Sequence, residues 1–178
     1  MLDPEERQQL QRGMFVTKVI WGAFFSALAI YLVVCHLAGS ESIDMGFDSY
    51  TLWIIKATLG VITCVSLVIA YFLRKSILKI RPAGLASSFI EQTLTSGTQP
   101  FPFKRHEAVT KYMRATIIST AHSESVGIYG LILFLLSGEF ITLYAFIGVS
   151  ALAFYYFRPR LEELEQLALD LKRLNNSV

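Results

Sequence analysis

The sequence predicts an all-α integral membrane protein of four transmembrane helices with an amphipathic C-terminal helix. Three observations predict it. Of 178 residues, 53% are hydrophobic and only 17% charged, against about a quarter charged in ordinary soluble domains. The apolar residues fall in four blocks, 15–37, 51–73, 117–136 and 140–157. These blocks are continuous, without the alternation of a barrel strand. Low hydrophobicity and high net charge, the marks of disorder, are absent. Sixteen Lys and Arg against fourteen Asp and Glu leave +2, too balanced for a nucleic-acid binder.

A hydrocarbon core about 30 Å thick takes roughly 20 helical residues. The first three blocks reach that length and the fourth falls slightly short. Before the first block, Asp3-Pro4 reads as an N-cap followed by the first helical position, so a short polar helix leads into the span. The acidic flank and the length of the block argue against a cleaved signal peptide. The reading is one membrane domain over 1–178, with a loop at 74–116 and a helical tail at 160–176.

Lys and Arg set the orientation. Arg7 and Arg12 precede the first span, and the loop holds Arg74, Lys75, Lys79, Arg81, Lys104, Arg105, Lys111 and Arg114. The tail adds Arg158, Arg160, Lys172 and Arg173, whereas 38–50 and the turn Ser137-Gly138-Glu139 have no positive charge. Both termini and the loop are therefore expected in the cytoplasm. Within the loop, Ser87 to Thr95 reads as a surface helix between two turn-forming stretches. In the tail, Leu164, Leu167, Leu171 and Leu174 line one helical face, suited to packing on this chain or on a partner. Cys35 and Cys64 lie at different depths, too far apart for a disulfide, and read as small apolar core residues.

Ionisable groups inside a bilayer are the informative ones. Lys18 and Lys56 lie near span ends and are expected to snorkel, as is His36. Glu124 lies near the midplane, ten residues beyond Arg114 and fourteen before Gly138, where a short side chain does not reach water. Beside it Thr116, Thr120, Ser123, Gly127 and Gly130 form a stripe of small and hydroxyl residues suited to close helix packing. Thr120, Ser125 and Tyr129 are the candidate hydrogen-bonding neighbours of Glu124. His122 lies about 200° round the helix from Glu124 and is not expected to touch it. Either Glu124 fixes helix packing, or desolvation favours its neutral form so that it exchanges a proton. No metal site, cofactor or phosphate loop is indicated. Ser123 and Ser125 have no evident base, which leaves an intramembrane hydrolase a weak option.

Residues 105–135 resemble the ion-carrying helix of the proteolipid c subunit of rotary ATP synthases. Glu124 stands four residues before Ile128-Tyr129-Gly130-Leu131, Ala121 precedes it by three, and Arg105-His106-Glu107-Ala108 matches the family's loop approach. The resemblance implies a carboxylate that takes a proton or sodium ion, in a helix running outward from a basic loop. It covers less than a fifth of the chain. The second span has Gly60 where the family's inner helix is rich in glycine, and the loop lacks the family's Gln-Pro pair. Ile30-Tyr31 in the first span echoes Ile128-Tyr129, and a duplication would place Ser26 opposite Glu124, with Leu32 at the glycine. The expectation is a non-catalytic membrane subunit, homo-oligomeric or joined to other membrane subunits, that binds or moves protons through Glu124. The alternative is a scaffold that assembles through its helix faces and docks partners on its tail. No nucleic acid enters either reading.

Overall fold

The computed structural model describes residues 4–39, 48–79 and 107–175. These form five helices: α1 (Pro4–Ala38), α2 (Ser49–Leu78), α3 (Glu107–Ser137), α4 (Phe140–Tyr156) and α5 (Leu161–Asn175). α1, α2 and α3 are each long and apolar enough to cross a membrane; α4 reaches that standard only when joined to α5 across a 46° bend. The described residues are thus all helical, with three to four possible spans.

Local chemistry explains the helix ends. Pro4 opens α1 with Glu5 and Glu6 in its first turn, where proline needs no N–H partner and carboxylates favour the helix dipole. Gly39 ends α1 at φ 69°, and Gly138 ends α3 at φ 66° with its N–H donating to Phe134 O at 2.7 Å. Glycine suits this left-handed backbone because it has no Cβ to clash. Pro159 lies in the break between α4 and α5 and cannot supply an interior helical N–H.

α3 is the hub: α1, α2, α4 and α5 all pack on it. α1 runs parallel to α3, with Gly13 beside Val109 near one end and Leu28 beside Gly127 further along. α4 returns antiparallel, with Ser150 against Ser123 and Phe146 against Gly130. α2 also runs antiparallel to α3: Lys56 meets Glu139 at one end, and Arg74 meets Phe157 and Glu163 at the other.

The tail folds back on its own chain. Leu164, Leu167, Ala168 and Leu171 of α5 bury against Leu10 and Met14 of α1 and Ala108, Val109 and Tyr112 of α3. Where such side chains leave water, each contributes about 1.5–3 kcal/mol. Arg7 pairs with Glu165 at 3.5 Å and Lys172 with Glu6 at 3.0 Å, so the start of α1 and the helix α5 lie at one end of the bundle. Tyr112 fixes the bend, accepting from Arg160 N at 2.7 Å while its hydroxyl lies 3.1 Å from Arg160 O.

Three expectations are corrected. The segment 74–116 is not all loop, because α2 runs on to Leu78 and α3 begins at Glu107; charged residues there extend helices past the apolar blocks. The surface helix at 87–95 falls outside the described residues. Cys35 and Cys64 are both free, but only Cys35 is buried; Cys64 is exposed on α2 and is no core residue. Lys56 does more than snorkel, since its ammonium pairs with Glu139 at 2.6 Å.

Candidate functional site

The stripe foreseen on α3 is the buried face of the helix. Thr116, Ser119, Thr120, Ser123, Gly127 and Gly130 are all buried. A hydroxyl in an apolar interior must find an acceptor, and here the helix supplies it. Thr116 donates to Tyr112 O, Ser119 to Ala115 O, Thr120 to Thr116 O and Ser123 to Ser119 O, at 2.8–3.0 Å. Each bond reaches back one turn. A serine hydroxyl of α4 crosses to this face: Ser150 donates to Ser123 O at 2.6 Å.

The glycines set the closeness of approach. A Cβ at Gly127 would stand 2.5 Å from Leu28 Cδ2 and 3.6 Å from the Tyr31 ring; at Gly130 it would stand 2.7 Å from Phe146 Cβ. Gly127 therefore lets α1 lie against α3 with the ring of Tyr31 over the glycine. From there the Tyr31 hydroxyl reaches Glu124, three residues back on α3, and donates to Oε1 at 2.9 Å. Glu124 and Tyr31 are both half-buried.

The neighbours expected around Glu124 are not the ones that bind it. Thr120 donates to Thr116 O and lies 3.0 Å from Ile117 O, and Ser125 donates to Ala121 O at 3.0 Å. Tyr129 is half-buried and makes no hydrogen bond to Glu124. Among the described residues, Tyr31 alone hydrogen-bonds this carboxylate. The Thr120 and Ser125 hydroxyls are taken by helix carbonyls one turn back. His122 does not touch Glu124; its Nδ1 lies 2.8 Å from Ile118 O, so that nitrogen carries the proton. The missed residue, Tyr31, had one trace in the sequence, the Ile30-Tyr31 echo of Ile128-Tyr129. That echo said nothing of which helix would lie beside which.

A second polar cluster closes the far end of the bundle. Glu139 accepts from Lys56 at 2.6 Å and Thr142 at 3.0 Å. The Lys56 ammonium, then the Thr142 hydroxyl, hold the Glu139 carboxyl below its ordinary range against a smaller opposing effect of burial. Nearby, Tyr144 OH lies 3.1 Å from His36 Nε2, while His36 Nδ1 lies 2.9 Å from Leu32 O. Among the described residues no group of three His, Cys, Asp or Glu side chains is placed to hold a metal ion. No family model, curated protein or solved structure matches the chain significantly.

Proposed function

We propose that this chain is a multi-pass membrane subunit that binds a proton at Glu124, with Tyr31 as the partner that serves both protonation states. The supporting observation is the 2.9 Å bond from Tyr31 to Glu124 across the α1–α3 contact. A phenol both donates and accepts, whereas an ionised carboxylate only accepts and a carboxylic acid also donates. With the proton absent, Tyr31 donates to the carboxylate. With it present, the acid can donate to the phenol oxygen, so neither state leaves Glu124 without a partner.

In this reading α1 to α4 each cross the bilayer. The termini share one end with Arg74, Lys75, Lys79, Lys111 and Arg114, while Lys56 at the other end is paired with Glu139. The excess of Lys and Arg puts the terminal end in the cytoplasm. We place the proton site inside the subunit and not at a ring interface, because α1, α2 and α4 of the same chain already surround α3. The resemblance to proteolipid c then concerns the carboxylate segment, and rotation is not part of the proposal. Lipid, or another membrane subunit, covers the outer sides of α1 and α2.

The second reading is an assembly protein in which Tyr31–Glu124 is only an interhelical tie. It is favoured by Ser150–Ser123, which ties α4 to α3 at nearly the same level. A docking role for the tail has less room, since the leucine face of α5 is buried on its own chain.

Carbodiimide labelling across pH separates the readings, because these reagents attack protonated carboxyls in apolar surroundings. The expected result is labelling at Glu124 that fades as pH rises and vanishes in Glu124→Gln. Tyr31→Phe should alter the extent of labelling at Glu124, because the carboxyl loses the one side chain among the described residues that hydrogen-bonds it. Absence of labelling at every pH, with Glu124→Gln leaving assembly intact, would overturn proton binding in favour of the tie.

A further inference from the structure

We infer that the flank between α2 and α4 binds an anionic phospholipid, phosphate at the basic end of the bundle and acyl chain in the groove. Two adjoining cavities make the shape. The first, about 520 Å³, is an apolar groove between Leu67, Val68 and Phe72 of α2 and Val149 and Leu152 of α4. The second, about 610 Å³, lies against Arg74, Lys75, Lys79, Arg160 and Glu163. Tyr71, Tyr156 and Phe157 line both, so the apolar groove opens directly into the charged one.

The charges select the head group. Arg74 is already engaged, donating to Glu163 at 2.7 Å and to Phe157 O at 2.9 Å, so the carboxylate among the described lining residues is neutralised. Lys75, Lys79 and Arg160 are exposed and form no ion pair among the described residues. Three cations with no ion pair among the described residues, at the mouth of an apolar groove, complement an anionic head attached to a hydrocarbon chain. Basic pockets between membrane helices on the positive side bind such head groups. Tyr71 and Tyr156, with ring centroids 6.4 Å apart, sit where the two cavities meet, the place of interfacial aromatics. The inference rests on reading α2 and α4 as membrane spans and is independent of proton binding at Glu124.

The test is native mass spectrometry of the full chain in detergent, with phosphatidylglycerol and phosphatidylcholine of identical chains and inorganic phosphate as competitor. At least about tenfold preferential retention of phosphatidylglycerol is expected. Combined Lys75→Gln, Lys79→Gln and Arg160→Gln, all at exposed positions, should abolish the preference at about fivefold per cation. Leu152→Trp should fill the groove and lower retention of both lipids, and Glu124→Gln should change nothing. Equal retention of the two lipids, an undiminished preference in the triple variant, or displacement by inorganic phosphate would each overturn the inference, the last by revealing a free-phosphate site. A chain that stays monodisperse without detergent would instead overturn the membrane reading itself.

Discussion

α2 and α3 are both long apolar helices, yet they meet their surroundings in opposite ways. α2 buries only Thr63 and Ala70, while exposing Trp53, Val61, Val65 and Phe72. α3 buries thirteen residues, and four of them are Ser or Thr. The more polar helix is the inner one. In water the reverse would hold, but lipid is as apolar as leucine and does not drive large side chains inward. What places α3 at the centre is close approach at its glycines and hydroxyls that its own backbone satisfies.

The contrast is sharpest at glycine. Gly130→Ala should destabilise the bundle by about 1–3 kcal/mol, because its Cβ would meet Phe146 Cβ at 2.7 Å and Leu143 O at 3.4 Å. Gly60→Ala on α2 meets nothing within 4 Å and should stabilise by up to about 1 kcal/mol through helix propensity. Unfolding in mixed detergent micelles measures both, and equal effects would erase the distinction between the helices. Thr63 tests it from the other side, as its hydroxyl is buried with no hydrogen-bond partner among the described residues. Thr63→Val keeps the shape, removes the orphan, and should stabilise by about 1 kcal/mol in the same assay. Ser150→Ala should cost only about 0.6 kcal/mol, the usual worth of one interhelical bond in a membrane.

The smallest effect concerns Glu139, whose carboxyl is held below its ordinary 4.5 chiefly by Lys56. A lowered folded value contributes stability above pH 4.5 that disappears as pH falls through the folded value. Exposure of Glu139 limits this to a few tenths of a kcal/mol. A pH titration of unfolding should show the loss in the parent chain and a smaller one in Lys56→Met, where only the Thr142 hydroxyl still lowers the value.

The helices and the α3 stripe were legible because each is written within one segment. Continuous apolar runs mark α1 to α4, and Thr116, Thr120, Ser123, Gly127 and Gly130 share a face by helical spacing alone. Tyr31 was not legible as the partner of Glu124, since that bond depends on two helices, 93 residues apart at this point, lying side by side in a particular register. The tail shows the same limit. Its leucines announced an amphipathic helix, but only the fold supplies Leu10 and Val109 as the surface they cover. Helix ends beyond the apolar runs were misjudged because Arg74 and Lys75, or Lys111 and Arg114, read as loop once polarity replaces hydropathy. They continue the helix, whose backbone is indifferent to that change.

The hub position of α3 also bears on how the protein is made. α1 and α2 leave the ribosome before α3, yet each packs chiefly on α3 and scarcely on the other. During synthesis α1 and α2 therefore lack their main packing partner until α3 is made. The arrival of α3 gathers them, and α4 then closes against it. The leucine face of α5 comes down onto the opening turns of α1 and α3, so a helix made late closes over one made early.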